Sequence, residues 1–316
     1  MSQPLVSILV PAFRPTWLDL AIASALAQTV RAFELLISDD SAGQDVQSVV
    51  SKWRDPRIRY MRNPHRGEPG SNRDNLIAEA RGKYIKFLFD DDLLLPHSLE
   101  LLLLAAEKGG ARLAFHARHF IDDLGRVLEP PMKLAWQGFA ELNADIFFTW
   151  MVANQLNAIG EPTCVLLHTE TIKSMTKPFA IDGRRMRFLT DVALYTNIIS
   201  QGHRVLGTTE VGSAFRVHGQ QTSNHTYPGH SAGLFEWELL RRWGAQRGLL
   251  SPDHFAAGTP KQMQMYQVWL ERYPELKPFL ELAGAREDEG YLGPRFMSAL
   301  GAADCAIAAR MQRLAA

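Results

Sequence analysis

Apolar residues along the first hundred positions follow two alternating patterns. A continuous apolar run, typical of a strand buried on both faces, occupies residues 5–10, and further strands are predicted over residues 33–38, 58–61 and 84–89. Between these segments, apolar residues recur at helical spacing over residues 17–28, 46–53, 71–80 and 96–109. Because strands that alternate with helices through short joints are linked by right-handed crossovers, we predict an α/β fold with a mostly parallel sheet and helices on both faces.

The rest of the chain has a looser pattern. Strands are indicated over residues 112–119, 164–168 and 205–217, and the aromatic stretch 139–157 is typical of a helix that lines a second cleft. Thr190 is expected to cap a helix that stops at Gly202. Later helices are predicted over residues 234–243, 263–270 and 296–311. We therefore divide the chain into residues 1–110, 111–225 and a helical appendage, 226–316.

Acidic residues follow two of the predicted strands. Asp39 ends the second run, and three carboxylates, Asp90 to Asp92, end the fourth. Pro11 is expected to end the first strand, because proline cannot donate to a ladder. Since ligands of parallel sheets bind at the carboxyl ends of the strands, we expect these acids to line one binding edge.

Composition narrows the class of protein. Of the 316 residues, 46% are hydrophobic, and 34 Lys and Arg balance 34 Asp and Glu, so no positive field favours nucleic acid. The distant Cys164 and Cys305 make no disulfide framework and no zinc motif. The sequence shows no signal peptide and no apolar stretch long enough for a bilayer, so we expect a soluble cytoplasmic protein; contact with a membrane surface stays open.

The three consecutive carboxylates predict a metal–phosphate site. Two like charges 4 Å apart repel by on the order of 1 kcal/mol in water, so a divalent cation is the simplest compensation. Consecutive side chains point in different directions, so we assign the metal to Asp91. Asp90 would bind a ribose or share the ion, and Asp92 would support the site or cap the next helix. The alternative is a solvated turn.

Two further residues are candidates for nucleotide contacts. The Asp39 carboxylate could accept an N–H from a base edge such as uracil N3–H, or it could form an ordinary Asx turn. Arg73 follows a Gly-rich loop at a helix start, which suits phosphate or base contact. Its alternative is an ion pair with Asp74 or Glu79.

A second carboxylate and a histidine complete the candidate chemistry. Asp191 lies at a predicted helix start, where it could act as a general base or simply favour the helix dipole. His218 lies at a strand end, and neutral imidazole is a good ligand for Mn²⁺-like ions, although a lone histidine there is more often not a ligand.

Taken in order, these motifs resemble the family 2 glycosyltransferases with the Rossmann-like GT-A fold, over residues 4–224. On the donor side, the similarity covers the strand end beneath the nucleotide, the uracil-binding aspartate, an arginine and the metal motif. The residues at these places are Pro11, Ala12, Phe13, Asp39, Arg73, Asp90 and Asp91. The resemblance implies that residues 1–110 form the donor half and bind Mn²⁺ or Mg²⁺ with a nucleotide sugar.

The resemblance extends to the acceptor half, residues 111–225. The stretch 157–163, with Gly160 and Glu161, is similar to a loop near the acceptor pocket, and Trp150 is a further acceptor-side candidate. Asp191 matches the base motif, and His218 lies in a segment similar to the one whose histidine reaches the metal.

Two positions depart from the family pattern. Phe89 stands where the metal motif usually begins with Asp, so the ion or ribose must be served from Asp90 and Asp91. Thr190 stands where an acid often precedes the base. Both departures keep open a catalytically silent sugar-nucleotide sensor or scaffold.

The resemblance implies an inverting transfer of a sugar, with UDP favoured as the nucleotide, to a hydroxyl of a glycan or lipid-linked acceptor. Asp191 would deprotonate this hydroxyl, and the metal would neutralise the leaving diphosphate. It leaves open a place at the inner face of the membrane and a homodimer formed through residues 226–316.

Two other classes of protein fit the sequence less well. A sugar nucleotidyltransferase usually has a Gly-rich loop after the first strand, which residues 10–15 lack. An acidic phosphoacceptor module does not explain Asp191 and His218.

Overall fold

The computed structural model describes residues 3–129, 138–221 and 223–315, and the chain forms two compact units. We call Met1–Leu142, Ile159–Thr176 and His203–His218 the sheet unit. Asn143–Ala158, Lys177–Gly202 and Gly219–Ala316 form the helical unit. This division by packing differs from the boundaries drawn at residues 110 and 225, and the functional halves assigned there stay a prediction.

The strands in chain order are β1 (Val6–Ala12), β2 (Phe33–Asp39), β3 (Ile58–Arg62), β4 (Tyr84–Phe87), β5 (Leu93–Leu94), β6 (Leu113–Ile121), β7 (Val127–Glu129), β8 (Phe139–Glu141), β9 (Val165–His168), β10 (Ala180–Ile181), β11 (Arg184–Arg185) and β12 (Val205–Arg216). The α-helices are α1 (Leu18–Leu26), α2 (Asp45–Val50), α3 (Ser71–Glu79), α4 (Ser98–Leu103), α5 (Ala144–Ile146), α6 (Thr169–Lys173), α7 (Thr190–Ser200), α8 (His230–Gln246), α9 (Pro252–Trp269), α10 (Lys277–Leu282) and α11 (Pro294–Ala315). Two π-helical turns, Leu104–Lys108 and Phe147–Val152, continue α4 and α5.

The sheet unit is built on one large sheet. Its strands lie in the order β3-β2-β1-β4-β9-β6-β12-β5, with β7 beside β6 and β8 beside β12. The pairings make β1, β2, β3, β4, β6 and β12 run in one direction, while β9 and the short strands run against them. The predicted α/β class with a mostly parallel sheet is therefore confirmed.

Pro11 does not end β1, contrary to the prediction. The strand continues to Ala12, and Pro11 is in register with Ser38 of β2. On its other side β1 pairs with β4 only as far as Leu9, whose carbonyl accepts the N–H of Leu88. Pro11 is two residues further on and faces the same side, so its missing N–H costs no ladder bond.

Both faces of the sheet are covered. Alternate residues of β1, such as Ile8 and Val10, join one core with Ile22 of α1 and Leu102 of α4. The intervening Leu9 is also buried and faces the other way, where α3 packs against β1 and β2. Burial on both faces is why β1 has the continuous apolar run that the sequence shows.

The helical unit contains the predicted C-terminal helices. The most enclosed is α8, which is buried on all sides from Ser231 to Gly244 and therefore acts as the centre of this unit. The helix predicted over residues 263–270 starts earlier, at Pro252, because the Ser251 side chain caps it by accepting the N–H of His254. Within the described parts of the chain, no helix combines the length and apolar character needed to cross a bilayer.

Thr190 is not the cap that the sequence predicted. It is the first residue of α7, and Leu189 occupies the cap position without a side-chain bond. Gly202 does follow the end of this helix, with a φ of +76° that suits glycine.

Candidate active site

Asp90 ties together the ends of two neighbouring strands. β1 and β4 are parallel neighbours, so the chain just beyond each strand reaches the same edge of the sheet. There, Asp90 Oδ2 accepts the backbone N–H groups of Phe13 and Arg14, both at 2.7 Å. Phe13 is 60% exposed beside this contact, so an aromatic face borders the edge.

Asp91 is the meeting point of two basic groups. Its Oδ2 lies 2.9 Å from Arg14 Nη2 and 3.0 Å from His218 Nε2. The His218 ring in turn packs on Trp17, with ring centroids 4.6 Å apart. The structure thus brings together the carboxylate and the histidine that the sequence nominated as metal ligands.

Asp92 faces the interior. Its Oδ2 accepts the hydroxyl of Thr163 at 2.6 Å, and its Oδ1 accepts the backbone N–H of Arg216 at 3.1 Å. Arg216 also donates Nε to the Asp91 carbonyl at 2.9 Å. Asp92 therefore supports the loop from beneath, and the cap of α4 falls on His97.

The three carboxylates are buried, which rules out the solvated turn for them. Burial, and next the charge of Asp91, raise the pKa of Asp92 well above the ordinary carboxyl value. The same two causes raise the pKa of Asp90, although Arg14 and the two backbone N–H groups act in the opposite direction. Negative charge is therefore held here at a cost, which an added cation would relieve.

The donor set fits a divalent ion that shares its coordination with a ligand. Among residues 3–129, 138–221 and 223–315, no group of three or more His, Cys, Asp or Glu side chains is arranged around a metal position. Asp91 Oδ2 and His218 Nε2 are 3.0 Å apart, the separation of two adjacent ligands each about 2.1 Å from an octahedral ion. Mg²⁺-like ions commonly take only one or two protein ligands and complete their shell with phosphate oxygens and water.

Asp39 is held by three donors at the end of β2. Its Oδ1 accepts the Ser41 backbone N–H at 2.8 Å, and its Oδ2 accepts Tyr60 Oη–H and Arg62 Nη1–H, both at 2.7 Å. Burial acts to raise the pKa of Asp39, but the bonds from Ser41, Tyr60 and Arg62 together lower it. The Asx turn is thus present, and Asp39 is an ionised, fully buried acceptor.

Arg73 lies in the first turn of α3, beside the same edge. The helix begins after Gly70, whose φ of +76° favours glycine, and Asn72 Nδ2 donates to the Ser38 carbonyl at 3.0 Å. Arg73 Nε lies 3.9 Å from the Asp74 carboxylate, so the predicted ion pair is present as a long contact.

Gly160 and Glu161 lie beside Arg118, another arginine of the sheet unit. Glu161 Oε2 is 2.5 Å from Arg118 Nε. Gly160 has a φ of +93°, and a Cβ there would approach Arg118 Nη1 to 2.5 Å. The backbone conformation therefore favours glycine at this position, and a Cβ would also force the Arg118 side chain to shift.

Asp191 and Trp150 belong to the helical unit. Asp191 lies in the first turn of α7, and Asn157 Nδ2 donates to its Oδ2 at 2.8 Å. Trp150 lies in the π-helical turn Phe147–Val152 and is 38% exposed.

The loop before α7 is fastened by a residue that the sequence did not nominate. The Glu236 carboxylate, buried in α8, accepts the backbone N–H groups of Arg187, Phe188 and Leu189 at 2.5, 3.0 and 2.7 Å. Burial raises the pKa of Glu236 to about 7, against these three bonds. A charged residue amid the apolar positions of a predicted helix is the signal that would have pointed to it.

Arg14 was missed for a different reason. Nothing in residues 10–15 marks it, and its contact with Asp91 depends on the pairing of β1 with β4.

The fold and this carboxylate edge define the class of protein as a GT-A glycosyltransferase. A model of glycosyl transferase family 2 matches residues 7–172, more than half of the chain, and the chain belongs to that family.

Two curated relatives have assigned activities. The chain is 36% identical over 115 residues to a GalNAc(5)-diNAcBac-PP-undecaprenol beta-1,3-glucosyltransferase of Campylobacter jejuni, covering 35% of this chain and 37% of that protein. It is 26% identical over 227 residues to the UDP-Glc:alpha-D-GlcNAc-diphosphoundecaprenol beta-1,3-glucosyltransferase WfaP of Escherichia coli, covering 71% of this chain and 81% of that protein. The chain thus matches little more than a third of the Campylobacter enzyme's length.

Among solved structures, TarS residues 1–349 of S. aureus, in complex with UDP-GlcNAc, is a fold neighbour. The TM-score is 0.55 at 14% identity, covering 88% of this chain and 86% of that one. At this identity the likeness shows a shared fold.

Proposed function

We propose that this protein transfers a sugar from a nucleoside diphosphate sugar, with UDP as the favoured nucleotide, to a hydroxyl of a lipid-linked glycan. The observation that carries the proposal is the pairing of Asp91 with His218 at the carboxyl edge of the sheet. The names of two relatives support the acceptor class, since both act on saccharides joined to undecaprenol through a diphosphate. The name of the WfaP enzyme gives UDP-Glc as the donor, which supports a UDP-sugar as the donor of this protein.

Donor binding is proposed along the ends of β1, β2 and α3. Asp39 Oδ1 accepts one N–H, and a carboxylate oxygen can accept two, so it can also take uracil N3–H. Arg73 would contact the base or a phosphate, and the exposed Phe13, with Pro11 and Ala12 before it, would form the floor beneath the nucleotide.

Asp91 and His218 are the residues that would hold Mn²⁺ or Mg²⁺. When bound, the ion neutralises charge on the leaving diphosphate. Asp90 Oδ2 already accepts two backbone N–H groups. We therefore propose that Asp90 fixes the loop near the ribose and shares the ion at most through Oδ1. Arg14 adds a permanent positive charge beside Asp91.

Asp191 is the proposed general base. It would take the proton of the acceptor hydroxyl as that oxygen attacks the anomeric carbon, which inverts its configuration. Asn157 orients the carboxylate, and Glu161, Gly160 and Trp150 are proposed on the acceptor side. A lipid-linked acceptor also implies peripheral contact with a membrane. A homodimer through the C-terminal helices stays a prediction.

Asp191→Asn tests the proposal. We expect donor binding to persist and sugar transfer to fall by roughly 10²- to 10⁴-fold, the usual contribution of a general base. UDP release from UDP-sugars in the presence of undecaprenyl-diphosphate saccharides measures transfer, and thermal stabilisation by UDP with Mn²⁺ measures donor binding.

Asp253→Asn is the matched control, because Asp253 is also an acid in the first turn of a helix, α9. Both variants lose the same helix-dipole interaction, so the loss of that interaction cannot explain a difference between them. A transfer rate near that of the wild type in Asp191→Asn would reject this residue as the base. Binding of UDP without release of UDP from any donor in the wild-type protein would instead favour a sugar-nucleotide sensor.

A further inference from the structure

The helical unit contains a cavity of about 390 Å³ that is lined with arginines. Its walls come from three separate stretches of the chain, and we call it the arginine cavity. Its lining residues are Thr226, Pro228, Arg272, Tyr273, Arg310 and Arg313. Arg310 and Arg313 are three positions apart on α11, so their side chains share one face of that helix.

The charges of the arginine cavity are only partly balanced. Arg310 forms an ion pair with Glu275. Across residues 3–129, 138–221 and 223–315, no carboxylate lies within ion-pair distance of the Arg272 or Arg313 guanidinium. Three positive groups around one cavity therefore face a single compensating carboxylate.

The Tyr273 ring contacts two of these arginines. The residue is buried, and its hydroxyl donates to the His225 carbonyl at 3.2 Å. The Arg310 and Arg272 guanidinium carbons lie 4.9 and 5.5 Å from the centre of its ring. Arg310 is held further by its bond from Nη1 to the Pro228 carbonyl at 2.8 Å. Arg310 is thus oriented before any ligand arrives, whereas Arg272 and Arg313 are exposed at the cavity.

The ordinary alternative is a set of solvated surface arginines. Such side chains would spread apart, because like charges repel and each loses hydration when it is confined. Here the arginines come from two separate segments and line one cavity, and Arg310 is held against the Tyr273 ring, which is the arrangement expected of a binding site for an anion. Guanidinium groups match phosphate oxygens with paired N–H donors, and the cavity volume falls in the range of small-molecule sites.

We propose that the arginine cavity binds a diphosphate group. Arg272 and Arg313 would donate to its oxygens, while Arg310 supports them from its pair with Glu275. The same chemistry has two sources: a diphosphate in solution, or a phosphate-bearing headgroup at a lipid surface. The site is argued from the helical unit alone, so it does not depend on the proposed transferase activity.

Titration calorimetry with inorganic pyrophosphate tests the site. The measurement is made in EDTA, so that metal-dependent binding elsewhere makes no contribution. We expect Arg272→Gln and Arg313→Gln each to weaken pyrophosphate binding by about tenfold or more, as loss of a charged hydrogen bond does. Arg295→Gln, an exposed position on the same helix, is the matched control and should bind like the wild type. Arg313→Lys keeps the charge and checks that the fold is preserved.

Vesicle flotation distinguishes the two sources. The wild type and the two Arg→Gln variants are floated with phosphatidylcholine vesicles and with phosphatidylcholine–phosphatidylglycerol vesicles. Arginine-dependent binding to the anionic vesicles assigns the site to a lipid headgroup, whereas arginine-dependent binding of pyrophosphate alone assigns it to a soluble diphosphate. Equal pyrophosphate affinity in all variants, or equal weakening in Arg295→Gln, overturns the proposal.

Discussion

At the scale of single residues, three adjacent aspartates have three different tasks. Asp90 accepts backbone N–H groups, Asp91 meets Arg14 and His218, and Asp92 binds Thr163 in the interior. The sequence could predict that such carboxylates need compensation and point in different directions. It could not predict their partners, because these lie far away in sequence and are brought near by strand pairing.

Lys86 is a second residue whose environment the sequence did not reveal. It lies in β4 with no exposed surface, and its Nζ donates to the Thr163 carbonyl at 2.5 Å and lies 3.3 Å from His116 Nε2. Burial lowers the pKa of Lys86 from 10.5 to about 7. The lysine therefore changes between its charged and neutral forms near neutral pH in the folded protein.

Lys86→Met should remove a pH dependence of stability. The folded pKa lies below the unfolded value, so the unfolded chain binds more protons between these values and stability rises with pH. For the wild type, this residue should raise the free energy of unfolding by about 2 kcal/mol between pH 7 and pH 9. Urea unfolding at both pH values measures the change.

The control for this variant is Lys52→Met, which removes an exposed lysine of the same unit and should keep the rise. An undiminished rise in Lys86→Met would show that the lysine stays charged when buried.

At the scale of elements, local patterns predicted what local residues decide. The β–α order of the first hundred residues follows from apolar spacing and is confirmed. The two-residue strand β5 was missed, because Leu93 and Leu94 pair with Ala214 and Ser213 of β12, far along the chain. The extension of β1 through Pro11 was missed for the same reason, because it is possible only where β4 no longer pairs with β1.

The start of α7 is another feature set by a distant residue. Glu236 of α8 accepts three successive backbone N–H groups of residues 187–189, directly before Thr190 and Asp191. These N–H groups belong to the loop that leads into the helix, and the buried carboxylate supplies their acceptors. The position of Asp191 therefore depends on the hydrogen bonds between the loop before α7 and Glu236 of α8.

Glu236→Gln should also remove a pH dependence of stability, but one of opposite sign to that of Lys86. The folded pKa of about 7 exceeds the ordinary 4.5, so this group stabilises the fold fully below pH 4.5 and loses the effect as pH rises through 7. Between pH 5.5 and pH 8, the wild type should lose about 2 kcal/mol from this carboxyl, and the variant should not.

Glu281→Gln, an exposed acid on α10, serves as the control and should behave like the wild type in urea unfolding. If Glu236→Gln loses as much stability as the wild type over this pH range, the carboxyl is ionised throughout.

At the scale of the whole molecule, the segment that the family model matches does not coincide with either of the two units. The family model ends at residue 172, before Asp191 and His218. The C-terminal helices were predicted from sequence, but the membership of Asn143–Ala158 and Lys177–Gly202 in the helical unit was not. Such membership depends on contacts between remote segments, which one sequence does not display.

The affinity of UDP in the presence of Mn²⁺ is the most direct test of the account, because it asks whether the carboxylate edge holds a metal–diphosphate group. Calorimetry is carried out on the wild type, on Asp91→Asn and on Asp123→Asn, an exposed aspartate of the same unit as control. We predict that Asp91→Asn loses at least about tenfold in affinity, with Asp123→Asn unchanged. The same Mn²⁺-dependent affinity in Asp91→Asn and in the wild type would contradict the account.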